Sequence, residues 1–294
     1  WLFAINIPIG IAALTLSYKF LPVNPVRIRG RRFDIPGGIL NAMTFFLIIG
    51  LIEGASHELP VRMIITGAVL LAVIGFFFVR RELRQELPVD LLRIPVFSMS
   101  ISTSILSFTA QMLAMVSLPF FLQGELGKDA VTCGLLLTPW PLATMIFAPL
   151  AGVLAERINA GILGSIGLSI FACGLFLLSI LSPDTGNGDI IWRMALCGCG
   201  FGLFQTPNNS TIVASAPRHR SGGASGMLGT ARLLGQTSGA ALVALMFRLV
   251  PGHSTHVSLL VGCGIAVSAA AVSLLRIGRP TGPKLQQMDQ VNPR

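Results

Sequence analysis

Apolar residues run along this chain in long unbroken stretches, without the alternation of a half-buried strand or the one-sided stripe of a soluble helix. The stretches fall at roughly 1–21, 36–53, 61–80, 96–122, 132–154, 161–181, 190–213, 222–246 and 257–276. At about 1.5 Å of rise per residue, about 20 residues cross a hydrocarbon core of about 30 Å, and each stretch is close to that length or longer. Lipid offers no partners to backbone N–H and C=O groups, and the stretches are too long for barrel strands, so helices are predicted. The predicted fold is all-α, a polytopic membrane bundle of about nine transmembrane helices.

The polar breaks organise these spans. Residues 22–35 hold four arginines and Asp34 and read as a linker between bundles, with 1–21 as the last helix of the bundle before it. Residues 36–80 form a two-helix hairpin turned by Ser56-His57-Glu58-Leu59-Pro60, and 81–95 can form an amphipathic interfacial segment. Six spans follow over 96–276, split into two triplets by the polar loop 182–189, the kind of architecture found in transporters built from repeats. The polar, proline-containing tail 277–294 is expected to be disordered. The stretch that opens at Trp1 lacks the charged n-region and small-residue cleavage site of a signal peptide, so it reads as an internal span of a longer protein.

Composition agrees with the pattern: 53% of residues are hydrophobic and 11% charged, where soluble domains carry roughly 25% charged residues. The net charge of +9 would suit a nucleic-acid partner if it were clustered, but it alternates from loop to loop. With Trp1 outside, sixteen of the 21 Lys and Arg fall on the inward loops and tail. The positive-inside rule then predicts an outside N-terminus and a cytoplasmic C-terminus, and nucleic acid is not expected as a partner. All five cysteines lie in apolar spans with spacings that do not suit a zinc pair, so they read as small packing residues. The histidines lie in loops, and His253-Ser-Thr-His256 lacks an acidic partner; neither a metal nor a cofactor is expected.

Candidate chemistry is confined to a few polar positions. Ser100, Ser104, Ser107 and Gln111 recur at spacings of 4, 3 and 4 along one helical face. Together with Phe108, Met112 and Met115 they can line a cavity that adapts to lipophilic substrates; the alternative is that the serines pack helices closely and bond their own backbone. Phe204, Gln205, Asn208 and Asn209 form a second such face, where amides could orient a substrate without the desolvation cost of a charge, or could bond between helices. Arg232 lies about 15 Å past Gly222 at helical rise, near the midplane. An arginine at that depth must face protein or water, and either couples and gates transport or locks neighbouring helices. No carboxylate is comparably central; Glu53, at an outer span end, is a weak proton-carrier candidate. The glycines of 222–239 include the small-x-x-x-small pairs Gly222/Gly226 and Gly235/Gly239, which permit close helix approach.

Three stretches resemble one family. Trp1 to Gly10, WLFAINIPIG, resembles the start of the sixth span in fourteen-span drug:proton antiporters of the major facilitator superfamily, the EmrB/QacA type. AGVLAERINAG at 151–161 is similar to the second-half copy of the superfamily's cytoplasmic gating loop, with Glu156 and Asn159 replacing the usual Asp and Gly. QTPNNS at 205–210, through AP-x-x-R-x-GGASGM to ARLLGQTSGAA, resembles that branch's penultimate pair of spans. The resemblance implies a chain running from the family's sixth span to its C-terminus, in a bacterial cytoplasmic membrane. It further implies export of hydrophobic or cationic drugs against inward protons, a coupling or gating role for Arg232, Glu156 and Arg157, and an N-terminal half that supplies the coupling carboxylate. A carrier for another small solute, or a non-transporting membrane scaffold, are the alternatives; no catalytic dyad or phosphate loop suggests an enzyme.

Overall fold

A computed structural model of the chain describes residues 6–20, 39, 43, 46–47, 66–67, 69–76, 88–182, 184–217 and 220–277. All of the linker, most of the hairpin, residues 81–87 and the tail from 278 therefore lie outside the described residues. The chain divides into two units, Trp1–Ile39 and Leu40–Arg294. In the first, α1 (Asn6–Phe20) is an apolar helix whose Ile11, Leu14 and Tyr18 are all exposed. The hydroxyl of Thr15 donates to the carbonyls of Ile11 and Ala12, so its polar group is satisfied within the helix.

In the second unit, residues 43, 46–47, 66–67 and 69–76 are helical. Pro88–Arg93 forms a 3₁₀ turn that leads into α2 (Pro95–Phe120), α3 (Ala130–Leu137), α4 (Pro139–Ala155), α5 (Ala160–Ser179), α6 (Asn187–Ser215), α7 (Ser221–Leu249) and α8 (Ser254–Leu274). Among the described residues every regular element is helical. Helix starts follow local chemistry. Pro95 and Pro139 occupy first-turn positions that need no amide donor. Asp129 caps α3 by accepting from the amides of Val131 and Thr132, and those bonds with the Thr132 side chain hold its carboxyl below the ordinary carboxylate range. Asn159 caps α5 through the Gly161 amide. The run expected as one helix over 132–154 is two, α3 and α4. Thr138 joins them, and Pro139 and Pro141 withhold amides that an unbroken helix would need.

Among the described residues, four stretches are long and apolar enough to cross a membrane: Pro95–Glu125, Ala130–Ala155, Ala160–Ser179 and Ser254–Leu274. Helices α6 and α7, at 29 residues each, are longer than three of these four, but carry the amides, the glycines and Arg232, which lowers their apolarity. Helix α2 packs against α7 and α8, α8 against α5, α5 against α6, and α6 against α4. The interior holds polar side chains, with Ser100, Ser104, Ser107, Ser117, Asn208 and Ser258 all buried. Large apolar side chains such as Leu135, Ile146 and Val153 point outward, the distribution expected where lipid replaces water.

Because lipid is as apolar as a leucine side chain, close packing and hydrogen bonds hold such helices together. Helices α5 and α6 touch backbone to backbone at Gly167 and Gly200. A methyl group on Gly167 would lie 2.7 Å from the Gly200 carbonyl oxygen and the Phe204 amide. Gly235 and Gly239 do the same for α7 against α2, where added methyls would meet the Ile105 carbonyl at 2.5 Å and the Thr109 carbonyl at 2.6 Å. Gly222 and Gly226 have open space around them, so of the two expected glycine pairs only Gly235/Gly239 packs on a described neighbour. Cys133 and Cys197 are buried among apolar residues, and Cys197 fills the space over Gly174.

Candidate functional site: a mid-depth cavity and a buried arginine node

Gln111, Met115, Trp140, Thr144, Phe201, Gln205 and Arg232, with Gly134, Leu137, Thr138, Pro141 and Met145, line a cavity of about 670 Å³. Arg232 stands eleven residues into α7 and Gln205 ten residues from the end of α6, which places both about 15 Å from that end of the bundle. The cavity is thus at mid-depth. Trp140 and Phe201 give it an aromatic wall, backed by a packed layer in which Trp140, Phe171, Phe201 and Phe108 follow one another edge to face, with centroids 5.4, 5.6 and 5.5 Å apart. The Arg232 guanidinium lies 5.0 Å from the Phe108 ring centre, a cation–π contact, and its residue is exposed on the bundle surface. Among the described residues Arg232 has no carboxylate partner; the ion pair there joins Arg193 and Asp189 at the other end of the bundle.

The polar stripe of α2 divides at Gln111. Its amide reaches the cavity, while Ser100, Ser104 and Ser107 turn into the core, where Ser100 and Ser107 donate to the carbonyls of Val96 and Ser104. Of the residues expected to bind substrate, Gln111, Met115 and Gln205 line the cavity. Ser107, Phe108, Met112, Phe204, Asn208 and Asn209 do not. Phe108 and Phe204 form the packed layer around Phe201, and Met112 sits where Gly239 meets α2. The reason is geometric: the four positions share one face of α2 but differ in depth along it, and Gln111, the farthest along and the longest side chain, is the one that reaches the cavity.

Asn208 belongs to a second polar centre. Its Nδ2 donates to Ser104 Oγ at 2.8 Å and to the Ser100 carbonyl at 3.3 Å, and its Oδ1 accepts from Arg276 Nη1 at 2.6 Å. The same Nη1 donates to Ser100 Oγ at 2.7 Å, and Nη2 donates to Ser273 Oγ at 2.6 Å. Ser273 Oγ in turn donates to the Gly161 carbonyl at 3.1 Å. Arg276 is 3% exposed and no carboxylate faces it among the described residues. With Nε 3.5 Å from the Ser273 carbonyl, four neutral acceptor contacts carry one buried charge and tie together the ends of α2, α5, α6 and α8. Glu156 and Arg157 lie in the exposed turn after α4 and form no ion pair with a described residue.

Two of these features escape a sequence reading. Arg276 ends an apolar span, where the positive-inside pattern reads it as an inward-loop charge, yet Ser273 one turn before it signals a partner on its own helix. Trp140 sits mid-span between two prolines, away from the interfacial belts where tryptophan usually lies.

The Major Facilitator Superfamily model matches residues 1–240. The chain belongs to that superfamily. As a member with several apolar crossing helices it is an integral membrane protein, and family membership points to a transporter rather than an enzyme. This major facilitator chain is 58% identical over 283 residues to "Uncharacterized transporter YebQ" of Escherichia coli (strain K12), covering 95% of itself and 62% of that protein. It is 28% identical over 247 residues to "Riboflavin transporter RibZ" of Clostridioides difficile (strain 630), with 84% and 54% covered. To "Multidrug resistance protein Stp" of Mycobacterium tuberculosis it is 30% identical over 249 residues, with 82% and 45% covered. The chain spans about half the length of the curated relatives it matches.

Proposed function

We propose that this chain is the C-terminal portion, from the sixth span onward, of a secondary active exporter of the fourteen-span drug:proton antiporter type in a bacterial cytoplasmic membrane. Its N-terminus lies outside and its basic turn at 217–221 inside. It moves hydrophobic small molecules outward by alternating access, with an N-terminal half of the same protein completing the pathway and carrying the proton-binding carboxylate. The observation that supports this most is the mid-depth cavity: an aromatic wall with two amides and one arginine at the depth where carriers of this superfamily would hold a substrate between their halves. Similarity to "Multidrug efflux pump LfrA" of Mycolicibacterium smegmatis, 29% identical over 250 residues, favours export.

Drug cations were also expected as cargo, but the charged residue of the cavity is an arginine. The hydrophobic part of that expectation is therefore retained and the cationic part is not. A carrier for one defined solute is the second reading, favoured by the similarity to the riboflavin transporter.

The test is expression of the complete gene in an efflux-deficient cell with a panel of lipophilic dyes, with and without a protonophore. Lower accumulation that the protonophore restores is the expected result. Unchanged accumulation across the panel overturns the exporter reading, and protection confined to one compound moves it to the single-solute carrier.

A further inference from the structure

Substrate class can be read from the cavity's balance of donors and acceptors, given the reading of that cavity as the substrate site. Arg232 supplies the full charge of the lining, and no aspartate or glutamate is among the lining residues. Its guanidinium has five N–H donors and no acceptor. The contact it makes within the described chain is a cation–π contact with the Phe108 ring. Its N–H donors make no hydrogen bond to a described residue and are left for a guest.

Arg276 gives the internal contrast. The same side chain, when it serves structure in this bundle, is buried and bonded to Ser100, Asn208 and Ser273. Arg232 has the opposite arrangement, exposed and facing a cavity. Gln111 and Gln205 add donors and acceptors in equal measure, so they do not offset the charge.

Acceptors are present but of a weaker kind. Pro119 and Pro149 lie inside α2 and α4, so the carbonyls of Met115 and Met145 four residues earlier lose their helical amide donors. Both residues line the cavity. These are dipoles rather than charges, suited to a hydroxyl or N–H on the guest. Trp140 and Phe201, joined edge to face through the buried Phe171, supply a wall for a flat apolar body.

From these groups we infer that the cavity takes a planar aromatic anion, its acidic group held in the plane of the Arg232 guanidinium and its ring against the Trp140–Phe201 wall, with hydroxyl or N–H substituents met by the proline-freed carbonyls. Carboxylates and sulfonates both fit, because a guanidinium binds either through paired N–H donors.

The experiment uses the complete, purified protein in detergent and three probes of one size: 2-naphthoate, neutral 2-naphthamide and the cation N-methylquinolinium. Binding is read by equilibrium dialysis. The naphthoate is expected to bind at least about tenfold more tightly than either other probe, the scale of one charge-assisted hydrogen bond. Arg232→Gln should abolish that preference, bringing the naphthoate to the level of the naphthamide, and Arg232→Lys should keep part of it. If Arg232→Gln does not fold, the wild-type ranking and its weakening by salt still decide the matter. Equal binding of the three probes, or preference for the cation, overturns the anion assignment and leaves the cavity reading standing. Failure of all three to bind overturns the cavity reading itself.

Discussion

Arg276 and Arg232 are chemically identical and sit in one bundle, yet the fold treats them in opposite ways. Around Arg276 the helices α2, α6 and α8 each contribute a hydroxyl or an amide at 2.6–2.7 Å, and the residue is almost sealed from solvent. Around Arg232 there is one aromatic face and a cavity. A buried charge is tolerated when its donors are satisfied, and removing it strands the partners that were organised around it. An exposed charge leaves little behind when it goes. The contrast therefore separates a residue that holds the bundle from one that can be occupied by something else.

The largest effect should follow removal of the node. Arg276→Ala leaves Asn208 Oδ1 without its donor and cuts two hydroxyl contacts, so a loss on the order of 3 kcal/mol in unfolding free energy is expected. Arg232→Gln should change the same quantity by less than about 0.5 kcal/mol. Denaturant titration of the complete protein in micelles measures both. Equal losses would dissolve the distinction between the two arginines.

Next comes the packing that surrounds each. Gly235→Ala forces a methyl onto the Ile105 carbonyl and the Phe108 side chain, for which overpacking costs typically about 1–3 kcal/mol. Gly226→Ala points into open space and should stabilise its helix by up to about 1 kcal/mol through propensity alone. Opposite signs for two glycines nine positions apart on one helix would confirm that α7 is clamped along its middle and free at its start. A matching loss for both would show that Gly226 has a neighbour beyond the described residues.

The node also makes a claim about coupling. Asn208→Ala is expected to cost about 1–2 kcal/mol by removing a buried amide with three contacts. Because Arg276 and Asn208 share a bond, the double variant should lose less than the sum of the two single losses, by at least about 0.5 kcal/mol. Strict additivity would mean the 2.6 Å contact between them contributes nothing, and that Arg276 is held by Ser100 and Ser273 instead.

How much of this was legible beforehand depends on the length scale. Unbroken apolar runs fix crossing helices because lipid leaves the backbone no alternative, and the six runs from 96 to 276 recur as helices with ends shifted by a few residues. The one run that divides does so at Thr138, where two prolines were visible in the sequence. Sites are harder because they depend on which face of each helix meets which neighbour. The 4-3-4 stripe was visible, but which of its members face the cavity follows from the rotation of α2 against α7 and α8. Arg276 was hidden for a related reason: an arginine at the end of a span is usually in water, and its burial depends on Ser100 and Asn208, 176 and 68 positions away.

The smallest effect concerns that split stripe. Gln111 lines the cavity and no described residue donates to or accepts from its amide, so Gln111→Leu should leave stability within about 0.5 kcal/mol of the parent. Its cost should fall on the guest instead, weakening naphthoate binding by about fivefold, the worth of one neutral hydrogen bond near 1 kcal/mol. Ser107→Ala, one turn earlier on the same helix, deletes a hydroxyl that donates to the Ser104 carbonyl inside the core and should leave binding unchanged. Equilibrium dialysis on both variants decides it. If Ser107→Ala weakens binding as much as Gln111→Leu, the whole stripe faces the guest, α2 must rotate when the cavity is occupied, and the boundary between the structural and the open polar region would lie nearer to Arg276.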